Sequence, residues 1–209
     1  VSLVPTMMLS IPFCTLVVFM LNILLDEIGA ADLSGSGAAL STVNQIGPIV
    51  TVVVVAGAAA TSMCADLGAR TIREELDAMR VLGISPVQRL VVPRVLAATL
   101  VALMLNSVVT LVGLLGTFFF SVYVQNVTPG AFAASLTLLV GMPEVITAMV
   151  KAMLFGLAAS LIACYKGISV GGGPQGVGNA VNETVVYTFM ALFVINVLVT
   201  AVALKVAPK

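Results

Sequence analysis

Apolar residues fall into five long runs, free of charge but for one lysine. Val4–Leu25 is the first, interrupted by Pro5 and Pro12. Ile46–Ala65 is the second, with Pro48 placed as if in a first helical turn, where a missing N–H costs little. Val95–Val122 follows, then Val145–Cys164 with Lys151 inside it, then Val185–Leu204. Each is uniformly apolar and about long enough to cross a bilayer as a helix. Membrane strands would instead alternate over about ten residues. Lipid cannot satisfy backbone groups, so the runs predict helices. The third run would be roughly 42 Å long at 1.5 Å per residue and must tilt, bend or protrude.

Composition agrees. Of 209 residues, 60% are hydrophobic and 9% charged, against about 25% charged in a soluble domain. Mean hydropathy is +1.19, so the predicted class is an all-α integral membrane protein of about five transmembrane helices in a single domain, 1–209. Nine basic and nine acidic residues leave no net charge, and nothing in that balance points to nucleic acid. Cys14, Cys64 and Cys164 lie in apolar runs without CxxC spacing, and there is no histidine. They read as small buried residues, and no metal site is expected. The start at Val1 lacks the basic n-region of a signal peptide.

Loop charge sets the expected orientation. The connection between runs two and three holds Arg70, Arg73, Arg80, Arg89 and Arg94, and that between four and five holds Lys166, whereas 26–45 and 123–144 hold no Lys or Arg. The basic loops are therefore expected in the cytoplasm, with the N-terminus inside and the C-terminus outside, although Lys205 and Lys209 run against the rule. The polar, small-residue connection 26–45, which includes Leu33–Leu40, reads as an external loop.

Nine of the eighteen charged residues lie between Asp66 and Arg94. Within Gly68–Pro86, Ile72, Leu76 and Met79 recur at i, i+4 and i+7, which predicts one face of a short amphipathic helix. Arg70–Glu74 and Arg73–Asp77 would pair along it, and Gly83 and Pro86 would end it. A solvated connector on the membrane surface and a docking helix for a cytoplasmic protein both fit. The loop is only slightly basic, which disfavours lipid headgroups as its partner, and mixed charge suits complementary pairing with protein.

The stretch Asn44–Val95, NQIGPIVTVVVVAGAAATSMCADLGARTIREELDAMRVLGISPVQRLVVPRV, resembles the MlaE/YrbE permeases, the membrane subunits of ABC transporters that work with MCE proteins. Val150–Gly167 and Gly176–Val186 fall in that family's order. The resemblance implies an ATP-driven lipid transporter of the bacterial plasma (inner) membrane, in which this multi-pass chain is not an enzyme. Its implied partners are a second permease subunit, a cytoplasmic ABC ATPase dimer, external MCE proteins and membrane lipids. It implies no cofactor in this chain; ATP and Mg belong on the ATPase. The matching coupling helix places Arg73, Glu74, Glu75, Leu76, Asp77, Met79 and Arg80 at the ATPase contact. In keeping with a separate energy source, no phosphate-binding G-x-x-x-x-G-K-[ST] motif is present. Gly171–Gly176, GGGPQG, follows a membrane run and reads as a turn rather than a nucleotide loop.

Asn44, Gln45, Gly57, Ala58, Thr61 and Lys151 are the candidates for a lipid pocket or permease interface. Ala56–Ser62, AGAAATS, is small enough for close helix approach, within the subunit or between subunits. Relatives carry an Arg-Glu pair at Asn44 and Gln45, an Arg at Ala58 and an Arg at Asn179. The neutral residues here favour a heterodimer whose partner keeps the charge, as in actinobacterial MCE systems. Lys151 either faces a cavity or snorkels outward, where Glu144 on the same helix face could pair with it. A non-transporting membrane scaffold that anchors MCE proteins is the alternative function.

Overall fold

The computed structural model describes residues 3–27, 29, 34–124 and 127–206. Its regular structure there is entirely helical: α1 (Leu3–Glu27), α2 (Ser34–Ser41), α3 (Gly47–Val54), α4 (Thr61–Ile72), α5 (Glu75–Val81), α6 (Val92–Tyr123), α7 (Pro129–Leu139), α8 (Met142–Ile168) and α9 (Gly173–Val206). Single π-helical turns at Thr42–Ile46 and Val55–Ala60 join α2, α3 and α4, and a third at Val87–Val91 leads into α6. Among the described residues, five helices are long and apolar enough to cross a membrane.

The second of these is the axis of the fold. Residues at each π junction keep right-handed helical angles, so Gly35–Ile72 is one rod of 38 residues. Buried residues make up 50% of its most apolar window, against 11% for α9. Four small cores form around it. Ile46 and Val50 meet Cys14 of α1 and Val109 of α6. Val55 meets Ala102, Leu105 and Ala159. Val52 and Ala56 meet Phe155 and Leu192. Ala60 and Cys64 meet Ala163 and Ala180. All three cysteines are buried and free.

The rod corrects the expected external loop 26–45. Residues 28 and 30–33 lie outside the described residues, but Ser34–Ser41 is helical, with Ser36, Ala38 and Ala39 buried. This segment packs against α1 and α7, and Ala38 shares a core with Val18 and Phe132. Its Gly, Ser and Ala content mimics a loop; here small size lets two neighbours approach. The connection expected between the fourth and fifth runs is likewise shorter. It is confined to residues 169–172, and Gly172 and Gly173 at the start of α9 have φ of 81° and 77°, conformations that favour glycine. Gly171–Gly176 is thus a turn and the first turn of α9.

Hydrophobicity distinguishes lipid-facing from buried surface poorly here, because lipid is as apolar as a leucine side chain. Small residues do the discriminating. In α8, Ala148, Ala152, Gly156, Ala159, Ala163 and Gly167 are buried at three- and four-residue spacing. A methyl at Gly156 would lie 2.6 Å from Ala102 Cβ and 3.2 Å from Thr99 Cα. Several buried hydroxyls bond back to their own helices, as in Thr51 to Gly47 O (2.8 Å) and Thr184 to Ala180 O (2.7 Å).

Gly156→Leu should destabilise the isolated chain by about 1–3 kcal/mol through overpacking. Gly57→Leu, where a Cβ meets nothing within 4 Å, should change it by less than about 0.5 kcal/mol. Thermal melting in detergent compares the two.

Candidate functional site

Two clusters of polar residues interrupt the apolar bundle. The first follows the rod. The single helix expected over Gly68–Gly83 is broken: α4 stops at Ile72, and Glu74 adopts φ 58°, ψ 17°, a left-handed conformation uncommon for a residue other than glycine. The expected pairs Arg70–Glu74 and Arg73–Asp77 therefore do not form. Instead Glu75 takes Arg73 Nε at 3.2 Å and Arg70 Nη1 at 3.6 Å. Asp66 receives Arg70 Nε at 3.3 Å and also holds Arg94 of α6. Arg80 Nη1 pairs with Asp77 Oδ1 at 2.8 Å.

The break also dissolves the expected apolar face. Leu76 is 3% exposed and Met79 half-buried, while Ile72 is exposed. Leu76 is thus committed to its own chain. The end at Gly83 is as expected: with φ 73°, Gly83 N–H donates to Arg80 O (3.0 Å) and Ile84 N–H to Met79 O (2.9 Å), the double closure of a Schellman motif. What this turn projects was missed in the periodicity. Val81 is 87% and Leu82 74% exposed, and Ile84 and Val87 are exposed too. The signal was the run Val81–Leu82 next to Gly83 and Ile84, apolar residues directly after a charged helix.

The second cluster lies within the rod. Pro48 is not in a first turn but deep in a continuous helix, so its missing N–H has a consequence. In an α-helix that N–H would serve the Asn44 carbonyl. Around it the chain winds as a π turn, with Gly47 N–H donating to Thr42 O, and Lys151 Nζ of α8 donates to Asn44 O at 3.0 Å. Lys151 is 1% exposed. It neither snorkels outward nor pairs with Glu144, whose carboxylate caps the start of α8 by accepting from Gly141 N–H at 2.8 Å. Asn106 of α6 closes the cluster. Its Oδ1 would stand 3.1 Å from a methyl on Gly47 and is buried without a partner among the described residues, as is Thr42 Oγ1.

The remaining candidates face outward. Gln45 is exposed, and its Oε1 accepts from Asn196 Nδ2 of α9 at 3.4 Å. Gln45, Ile49, Val53, Gly57 and Thr61 recur every four residues and are all exposed or half-buried, with Ala58 exposed beside them. An α-helix would rotate such a stripe by about 40° per step; the wider π turn at Val55–Ala60 offsets that rotation. The structure therefore joins Asn44 to Lys151 inside the bundle and sets Gln45, Gly57, Ala58 and Thr61 along its outer face. A separate open groove of about 1000 Å³ lies between α1 and α6, lined by residues including Leu16, Phe19, Leu115 and Phe119. It contains none of the candidates.

These features define a multi-pass membrane protein whose conspicuous polar elaborations are an excursion between its second and third spans and a stripe on its central helix. The chain belongs to the family described as Permease MlaE, whose pattern matches residues 1–202. It is 32% identical over 167 residues to a probable ABC transporter permease protein of Rickettsia typhi, covering 80% of this chain and 64% of that relative. A probable ABC transporter permease protein of Synechocystis sp. is 31% identical over 168 residues, with the same coverage of 80% and 64%. The chloroplastic protein Trigalactosyldiacylglycerol 1 of Arabidopsis thaliana is 30% identical over 160 residues, 77% of this chain and 46% of the relative. The chain thus spans just under two thirds of the length of the bacterial relatives.

Asp66→Asn should destabilise by about 1–2 kcal/mol, because the largely buried Arg94 loses its carboxylate. Glu75→Gln, which loosens more exposed pairs, should cost less than about 1 kcal/mol. Melting of the two variants in low salt tests the order.

Proposed function

We propose that this chain is the permease subunit of an ATP-driven lipid transporter in the bacterial plasma membrane. A separate cytoplasmic ABC ATPase dimer, carrying ATP and Mg, supplies the energy, and external MCE proteins pass lipid to or from the permease. The observation that carries this reading is the excursion Arg73–Val87. Its apolar tip, Val81 and Leu82, extends from the end of α5 and is left uncovered by the chain itself. An apolar anchor ringed by charge of both signs is how a short element seats in a protein groove.

Of the coupling candidates, Glu74, Asp77 and Arg80 are exposed and available to an ATPase, as is Arg73 beyond its ion pair with Glu75. Leu76 and Glu75 hold the excursion to its own chain. Met79 sits between these roles. The small-residue stripe Gly57, Ala58 and Thr61 suits a second permease subunit, and Gln45 places neutral hydrogen-bonding groups where a lipid would enter between the two. Neutrality at Asn44 and Gln45 favours a heterodimer whose partner supplies charge. A lipid substrate is supported by the family resemblance and by the glycolipid name of the Arabidopsis relative.

Val81→Asp/Leu82→Asp should leave membrane insertion intact, since both residues are already exposed, and abolish co-purification of the ATPase. Wild-type ATPase binding and lipid-stimulated hydrolysis by the double variant would overturn the coupling assignment. For orientation, single cysteines at Ser85 and Thr128, in a background without the native cysteines, should label from opposite sides of the membrane. Labelling of both by an impermeant reagent added outside would contradict the proposed topology.

A further inference from the structure

Among the described residues, Lys151 is the one lysine whose amino group is buried among helices, and its hydrogen-bond acceptor is a backbone carbonyl rather than a carboxylate. The carbonyl is not an arbitrary one. Position 48 is the residue whose N–H would close the α-helical bond to Asn44 O, and it is a proline. The α-helical donor for that carbonyl is thus missing in a lipid-embedded helix, where an unmet backbone group is costly. The side chain of Lys151 arrives from α8 to meet it at 3.0 Å. The next residue after Asn44 is Gln45, which leaves the rod on its outer face and bonds Asn196 of α9.

We propose that Lys151 is a positioning residue: it replaces the N–H that Pro48 lacks, fixes the π turn Thr42–Ile46, and so sets the direction in which Gln45 is presented beside Asn196. The inference rests on the reading of Gln45 as part of the lipid entrance only for its consequence in transport. The role itself is backbone chemistry. Lys151 need not touch lipid, and its buried position keeps it from doing so. The arrangement also makes the turn switchable in principle from α8, because the donor belongs to a different helix from the carbonyl.

The pairing predicts a specific rescue. Lys151→Met keeps most of the side-chain length and removes the donor. Pro48→Ala returns an N–H to the rod, and is measured alone as the reference because it also removes buried ring atoms. The readout is cross-linking of Gln45→Cys to Asn196→Cys by a short bifunctional methanethiosulfonate, in a chain whose native cysteines are replaced by alanine. Lys151→Met should slow cross-linking about tenfold, as expected when a buried carbonyl loses its donor. Lys151→Met/Pro48→Ala should recover to near the Pro48→Ala rate, a coupling that independent sites would not show. Unchanged cross-linking in Lys151→Met, or a loss that Pro48→Ala does not recover, overturns the proposal.

Should Lys151→Met fail to fold, solid-state NMR of the otherwise native chain in bilayers decides. With carbonyl-13C asparagine and ζ-15N lysine, the Asn44 carbonyl, assigned by its loss in Asn44→Ser, should dephase against lysine nitrogen. No dephasing overturns the proposal. Lipid transport by the assembled complex is followed in the same variants. Cross-linking lost and rescued without any change in transport supports the positioning role and overturns the lipid reading of Gln45.

Discussion

Every backbone group in a bilayer must find its partner inside the protein, and the whole architecture follows from that constraint. It selects helices, and it makes the few places where a helix cannot satisfy itself stand out. Pro48 is such a place. Its missing N–H falls in the rod that all the other spanning helices touch, and a lysine from α8 donates to the carbonyl that N–H would have served, linking two helices. Several buried hydroxyls likewise find an acceptor in a carbonyl of their own helix, and Thr184 reaches Cys64 Sγ as well.

Because helices in lipid gain little from burying apolar surface, contact depends on how closely backbones can approach. Gly35 against Phe132 and Ser135, Gly37 against Leu21, Gly156 against Ala102 and Thr99, and Gly113 against Cys14 mark such seams. The large apolar side chains go the other way. Met190, Phe193, Val197 and Leu198 of α9 are exposed to the surroundings, and in a membrane those surroundings are lipid. Small residues, alanine above all, with glycine and threonine, therefore share the core with valine, leucine and phenylalanine, while many large apolar side chains face outward.

Outside the apolar zone the ordinary rules return. Charged residues form a short network, Asp66 and Glu75 each holding two arginines, and this network orients the excursion after α4. Glu74 turns the chain, Leu76 is drawn in, and Gly83 closes the helix so that Val81 and Leu82 are left outside.

The sequence by itself determined the membrane class, the helical character and the five spans, because these depend on the length and hydropathy of uniform runs. It also located the charged excursion, the closing turn at Gly83 and the family, all carried by local residues. Only the tertiary structure decided the rest. Ser34–Ser41 reads as loop because glycine and serine are turn residues, yet α1 and α7 convert their small size into close packing. The helix break at Glu74 has no signature in the i, i+4 pattern, since Glu75 pairs back across it with Arg70 and Arg73. Lys151 and Asn44 lie 107 positions apart, and no spacing rule links them. What joins them is a carbonyl whose α-helical donor Pro48 lacks, a need that becomes visible only when the rod is seen to run unbroken through it.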